Sequence, residues 1–254
     1  MLKQILRDEK SVDISSLCSQ LDVSNVTVRK YLDKLEREGF LVKVHGGAIL
    51  AEEYTLQANN ELSRFDDSPD KVMSARAAIA RSVPELIENG DNIYLGCGVT
   101  CSMAAKNLVS KKNITVVTNN IDAAQELSDC GIRTIVLGGD LVQTDGKTYT
   151  CGSDTIGQMK RLMVNKAFIS ADCISLTHGV TVNESRVADI VDAVFGLSAT
   201  TYLLADHTKF GKTALIFTCS LKNFNGVISD PYLDDSFKSY LFDNDIKLIT
   251  PYDV

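Results

Sequence analysis

Residues 14–50, ISSLCSQLDVSNVTVRKYLDKLEREGFLVKVHGGAIL, carry two helical periods, a tight turn and a basic hairpin in succession. Ile14, Leu17, Cys18 and Leu21 fall at i, i+3, i+4 and i+7, which lines one side of a single helix whose other positions are Ser and Gln. Asp22 and Val23 make the turn. Ser24 then stands where its hydroxyl accepts from the first free amides of a second helix. In that helix, read over residues 24–35, Val28, Leu32 and Leu35 form the inward stripe. Val26, Lys30 and Asp33 point away from it, and Thr27, Arg29 and Lys34 flank the outer face.

The major groove of duplex DNA admits one α-helix, whose N-terminal residues meet base edges while Arg, Lys and hydroxyl side chains donate to phosphates. The spacing therefore makes residues 24–35 a recognition helix capped by Ser24. Asn25, Val26 and Lys30 are its base-edge candidates, and Thr27, Arg29 and Lys34 are the phosphate contacts that fix its position. Past Gly39, residues 40–44 alternate apolar and basic types, and Gly46-Gly47 permit a tight reversal. A short β-hairpin is expected there, a wing carrying Lys43 and His45. The competing reading, a small helical subdomain with ordinary solvated charges, explains the stripes but not the cap, turn and basic hairpin in series.

Charge separates this head from the rest. Eight basic and seven acidic residues give positions 1–50 a net +1, whereas the whole chain of 254 residues carries −7. An acidic body disfavours nonspecific contact with a polyanion and leaves the head as the docking surface for double-stranded DNA. Affinity is expected from two heads acting together in a homodimer or homotetramer.

The segment VSNVTVRKYLDKLEREGFLVKVHGGA resembles the winged helix-turn-helix of DeoR-type bacterial transcriptional regulators, including the closing His45-Gly46-Gly47-Ala48. Members usually place Asp-Leu after two basic residues of the recognition helix. Here Arg29-Lys30 is followed by Tyr31-Leu32.

A hydrophobic content of 44% suits a globular protein of two domains. The expected division is a head over 1–50, a linker over 51–70, polar and without periodicity, and a body over 71–254. No run of about 18 apolar residues occurs, and the N-terminus begins a helix in place of an export signal, so a cytoplasmic protein without membrane contact is expected. Seven cysteines, at 18, 97, 101, 130, 151, 173 and 219, sit mostly within apolar runs, as reduced buried thiols do. Cys97 and Cys101 have no second pair at metal-ligand spacing, so neither a metal nor another cofactor is expected.

In the body a helical pattern over 71–89, interrupted at Pro84, precedes short apolar runs at 93–95, 115–118, 134–137, 167–170, 201–205, 226–229 and 247–249. Amphipathic segments near 100–109, 121–127, 154–163, 184–197 and 231–242 lie between most of them. This alternation implies an α/β fold with a mainly parallel sheet covered on both faces. Such sheets bind ligands at the carboxyl ends of their strands. The loop 96–100, Gly96-Cys97-Gly98-Val99-Thr100, offers backbone N–H groups to an anion such as phosphate. Asn119 follows the next strand and can fix hydroxyls, and Gly138-Gly139 end the third. Asp206 and Lys209, in the loop 205–211, supply a carboxylate and an ammonium at a loop tip.

The order of these loops is similar to the sensor domain of DeoR-type regulators, a fold related to ribose-5-phosphate isomerase. The resemblance implies that Gly98 and Thr100 belong to an anion-binding loop, Thr118-Asn119 to a second loop, and Gly138, Gly139 and Gly152 to glycine positions of the site. It further implies that Glu184 opens a later helix and that Asp206 with Lys209-Phe210 forms a late signature. Where members commonly have Asp-Ser-Gly-Thr-Thr, this chain has Gly96-Cys97-Gly98-Val99-Thr100, and Cys173 follows Asp172 in place of a glycine. The implied function is a repressor of a sugar-utilisation operon, relieved by a phosphorylated sugar that changes the spacing of two heads.

Two other readings stay open on sequence grounds. One is a sugar-phosphate isomerase carrying a helical appendage, with Asp172, Glu184 and Lys209 as acid-base groups. They form no contiguous catalytic signature, so no catalytic residue is assigned. The other is a DNA-binding protein whose large domain only oligomerises.

Overall fold

The computed structural model describes residues 2–9, 11–21, 23–37, 39–44, 47–50, 67–144 and 146–251. Two compact units divide the chain, residues 1–66 and 67–254.

The first unit runs α1 (Leu2–Glu9), β1 (Ser11–Asp13), α2 (Ile14–Leu21), α3 (Asn25–Arg37), β2 (Leu41–Val44) and β3 (Gly47–Leu50). The Asp13 carboxylate accepts the Ser16 N–H at 2.7 Å and so caps the start of α2. Leu17 of α2 and Val28, Leu32 and Leu35 of α3 are buried against Leu6, Leu41 and Ala48, in agreement with the two stripes read from the sequence. The β2–β3 hairpin is also as expected, but it carries a third strand, since β1 pairs antiparallel with β3. That strand changes the role of Gly47. Expected within the reversal, Gly47 instead opens β3, between Asp13 of β1 and Val44 of β2, and a Cβ there would collide with the Val12 carbonyl oxygen.

The second unit opens with α4 (Pro69–Ser82), which begins on proline as a helix's first turn allows. There follow β4 (Asn92–Leu95), α5 (Val99–Lys106), β5 (Thr115–Thr118), α6 (Ile121–Asp129), β6 (Arg133–Val136), β7 (Asp140–Thr144), β8 (Lys147–Cys151) and α7 (Ser153–Met159). The chain continues through β9 (Val164–Ser170), β10 (Cys173–Ser175), β11 (Gly179–Val182), α8 (Ser185–Leu197), β12 (Ser198–Leu204), β13 (Ile216–Cys219), β14 (Gly226–Ile228), α9 (Asp235–Asp243) and β15 (Lys247–Ile249). Seven of these strands make one parallel sheet in the order β15-β14-β12-β9-β4-β5-β6. Each coincides with one of the seven apolar runs.

Side chains alternate across the sheet as strand geometry requires. In β4, Ile93 and Leu95 pack with α4, α5 and α6 on one face, whereas Tyr94 packs with α7, α8 and α9 on the other. From β4 the chain moves outward through β5 to β6, then returns to β9 on the opposite side of β4. The strand order therefore reverses between β4 and β9, and the crevice of an open parallel sheet lies at such a reversal.

Two antiparallel additions were not anticipated from the sequence. The hairpin β7–β8 is fastened to the β5–α6 turn, because the Thr150 N–H donates to the Asn119 carbonyl at 2.8 Å and the Thr148 N–H to Asp122 Oδ2 at 2.9 Å. A small sheet, β10-β11-β13, follows the end of β9. Among the described residues, no helix is long and apolar enough to cross a membrane.

Candidate functional site

The first unit presents α3. Ser24 caps it as expected: its Oγ accepts the Thr27 N–H at 3.4 Å and lies 3.0 Å from Thr27 Oγ1, while its carbonyl accepts the Val28 N–H at 3.0 Å. Thr27 is thereby drawn into the cap. With Val28, Leu32 and Leu35 inward, Asn25, Arg29, Lys30 and Lys34 are exposed, and Val26 keeps 65% of its surface open to solvent. Arg29 Nε donates to Asn25 Oδ1 at 2.9 Å, so these two side chains, one turn apart, are held as a unit. Tyr31 is exposed beside Lys30. Lys43 lies in β2, paired with Ala48, and His45 falls outside the described residues.

In the second unit the expected loops meet at the carboxyl ends of the strands. After β4, Gly98 takes φ 126°, a conformation that favours glycine, and a Cβ there would collide with Ser170 Oγ at the end of β9. This close approach joins the two sides of the reversal, and Ser170 Oγ also donates to the Cys97 carbonyl at 2.9 Å. Asn120 braces the loop from the other side: its side-chain nitrogen donates to the Gly96 carbonyl at 3.1 Å and to the Gly98 carbonyl at 3.3 Å. Its Oδ1 also caps α6 through the Ala123 N–H at 3.0 Å. Gly98 opens α5 without a side-chain cap, with Val99 and the buried Thr100 in the first turn. Burial pushes the Cys97 thiol up to about 11 and that of Cys101 up to about 12, so both stay protonated.

Several expected residues serve the framework. Gly96 uses its N–H in the sheet, donating to the Phe168 carbonyl at 2.9 Å. Asn119, expected to fix ligand hydroxyls, is buried. It accepts from the Tyr94 hydroxyl at 2.7 Å and donates to the Thr150 carbonyl at 2.9 Å. Gly138 donates its N–H to Gln158 Oε1 at 3.1 Å, and with Gly139 it lines a shallow groove along α7, next to which Gly152 begins that helix.

Asp206 differs most from its expectation. It is no carboxylate at a loop tip: only 1% of its side chain is exposed, and Arg76 Nε of α4 donates to it at 2.8 Å. Burial raises its pKa, but bonds from Thr208 and Arg76 outweigh that and hold the carboxyl below its ordinary range. Lys209 closes the same short turn, its backbone N–H on the Asp206 carbonyl at 3.0 Å. His207, between them, bonds Asp230 through Nδ1 and Asp67 through Nε2, each at 3.1 Å.

Asp172 is tied to the residue just before Glu184. The Asn183 N–H donates to Asp172 Oδ2 at 2.9 Å, and Glu184 follows as the residue that opens α8. The sequence reading missed two charged side chains that accompany them. Lys147 Nζ of β8 lies 3.5 Å from Asp172 Oδ1, and Arg186 of α8 reaches Cys151 Sγ at 3.9 Å and Asp140 at 4.0 Å. Nothing local distinguishes these residues, since each comes from an element whose position depends on the whole sheet.

Comparison with known proteins gives two matches along the chain. Residues 1–54 match the DeoR-like helix-turn-helix domain, and residues 71–231 match the DeoR C terminal sensor domain. HTH-type transcriptional regulator IolR of Bacillus subtilis (strain 168) is 26% identical over 245 residues, spanning 96% of this chain and 95% of the relative. HTH-type transcriptional repressor GlcR of the same organism is 29% identical over 245 residues, spanning 96% and 92%. Among solved structures, ribose 5-phosphate isomerase from Plasmodium falciparum is similar with a TM-score of 0.40 and 14% identity, over 60% of this chain and 54% of that one.

Proposed function

The chain belongs to the DeoR family of transcriptional regulators, and from that premise we propose that it is a sequence-specific repressor released from DNA by a phosphorylated sugar. One observation carries the proposal: the exposed face of α3, where a capped helix offers Asn25, Val26, Arg29, Lys30 and Lys34 above a buried stripe. Asn25, Val26 and Lys30 meet base edges, Arg29 and Lys34 bind phosphates, and Ser24 with Thr27 fixes the helix start. Lys43 and His45 extend the contact from the wing.

The second unit supplies the sensor. Residues 1–50 form the reading head, 51–70 a linker and 71–254 the sensing and oligomerising domain. The first turn of α5 behind Gly98 has no side-chain cap, which leaves its backbone N–H groups for a phosphate at the carboxyl end of β4. Asp172 and Glu184 stand across the crevice and accept from sugar hydroxyls. A relative named lactose phosphotransferase system repressor, from Staphylococcus epidermidis, 27% identical over 90% of this chain and 89% of the relative, supports a sugar effector. DeoR members are regulators, and the acid-base types at the crevice serve recognition. The working form is a cytoplasmic homodimer or homotetramer that engages two half-sites at once, so a modest change in head spacing ends repression.

The test is titration of the purified chain, by fluorescence anisotropy at about 0.15 M salt, against a duplex from upstream of its own gene and against random duplex. Specific binding is expected to exceed nonspecific binding by about a thousandfold or more. Equal affinity for both duplexes would refute the proposal.

A further inference from the structure

The hairpin β7–β8 lies outside the main sheet, although Tyr149 and Cys151 join the core on one side of it. Its backbone is fastened to the β5–α6 turn at Asn119 and Asp122, and Tyr149 forms an isolated bridge with Asn120, the residue that braces the Gly96–Gly98 loop. From there β8 reaches the end of β9, where Lys147 meets Asp172. The hairpin therefore spans the mouth of the crevice, from the β5 side of β4 to the β9 side. Strand alternation puts Lys147, Tyr149 and Cys151 on one face of β8, and Tyr149 and Cys151 are buried. Lys147 ends that face, close enough to Cys97 for its charge to act on the thiol.

The ion pair of Lys147 is looser than the two tightest pairs of the same domain. Lys166 holds Asp91 at 2.7 Å and Arg76 holds Asp206 at 2.8 Å, whereas Lys147 stands 3.5 Å from Asp172. Asp172 is already fixed by the Asn183 backbone N–H, so it does not depend on the lysine for its position. Both partners keep solvent contact, with 29% of the lysine and 24% of the aspartate side chain exposed. A long, partly wet pair is easily exchanged when a stronger anion arrives.

We propose that Lys147 is the residue that selects for phosphate in the effector: its ammonium leaves Asp172 for the phosphate monoester seated on the Gly98 loop, which frees Asp172 to accept from a neighbouring sugar hydroxyl. One movement thus supplies the cation for the phosphate and the acceptor for the polyol. It also gives the crevice a positive side chain where the Gly96-Cys97-Gly98-Val99-Thr100 loop contributes none. This assignment rests on the phosphosugar reading given above.

The experiment is isothermal titration of the full chain with a panel of hexose and pentose phosphates, each beside its unphosphorylated parent sugar. The comparison runs over wild type, Lys147→Met, Lys147→Arg and Lys112→Met, a control at the opposite end of the sheet. A phosphorylated probe is expected to bind wild type and Lys112→Met equally. Loss of one charge-assisted contact in Lys147→Met should weaken it by about tenfold or more, with Lys147→Arg recovering most of the loss. Unchanged melting of the ligand-free variants separates this from misfolding. If Lys147→Met binds the phosphorylated probe as tightly as wild type, the lysine assignment is overturned and the phosphosugar reading stands. If wild type binds no phosphorylated probe in the panel, the reading itself fails and takes the assignment with it.

Discussion

The two units of this chain store their functional information over different distances. In the first, every residue proposed to address DNA lies on or at the start of one helix of thirteen residues or in the hairpin that follows. In the second, the proposed effector site draws on Gly98, Lys147, Asp172 and Glu184, which lie far apart in sequence and depend on the strand order for their positions. A local site is set by helical periodicity and survives as long as its helix does. An assembled site is set by the packing of the sheet, and its parts are individually ordinary. That difference predicts that changes in the two units act separately on stability and specificity.

The largest effect is expected from Arg76→Met. It leaves Asp206 buried and charged without its cation, which costs about 3–5 kcal/mol. Chemical unfolding should show the body's transition moving to lower denaturant while the head's stays in place. Movement of both transitions together would mean that the units do not unfold separately.

Leu32→Ala is the counterpart in the head. Leu32 is fully buried in a small core, so the truncation costs about 2–4 kcal/mol. DNA binding should fall while titration with phosphorylated sugars is unaffected.

Substitutions on the outer face of α3 should be milder and distinct from one another. Lys30→Ala should cost about 1–3 kcal/mol on the preferred duplex and relax sequence preference at one position. Lys34→Ala should weaken all duplexes alike and reduce the salt slope by about one. Equal behaviour of the two variants would place the wrong edge of the helix in the groove.

A smaller effect concerns pH in the body. The bond to Asp230 raises the His207 pKa, burial opposes it, and Asp67 and Asp206 raise it further. With the folded value above the unfolded one, the stabilisation is complete below about pH 6.5 and is lost as pH rises through the folded value. The melting temperature of the body should therefore decline across that window, and His207→Gln should flatten the decline. Smallest of all, Ser229 Oγ is buried without a hydrogen-bond partner among the described residues, so Ser229→Ala should shift stability by no more than about 0.5 kcal/mol, toward greater stability.

The same contrast governs how much the sequence reveals. The recognition helix, its serine cap and its buried stripe were readable because each depends on residues within about two turns. All seven strands of the main sheet were readable as apolar runs; the inner ones are mostly buried and the two edge strands are still rich in apolar residues. The hairpin β7–β8 was not, because DLVQT is largely exposed and KTYTC, although its end is buried, mixes polar with apolar residues and shows no apolar run. Lys147 and Arg186 were missed with it. Asp206 was taken for a loop-tip carboxylate because its partner, Arg76, lies 130 residues earlier, beyond any local pattern. Gly47 was assigned to a turn because a glycine pair after a strand suggests reversal, while the need for it comes from β1 packing alongside.

The central claim is that occupancy of the assembled crevice alters the grip of the local helix, and it is a statement about linked equilibria. The direct measurement is the affinity of the full chain for its own upstream duplex, with and without a saturating phosphorylated sugar that binds it, together with the affinity for that sugar with and without the duplex. Linkage requires the same factor in both directions, expected at about 5- to 150-fold, with each ligand weakening the other. A sugar phosphate that binds the protein tightly yet leaves DNA affinity unchanged would contradict the account.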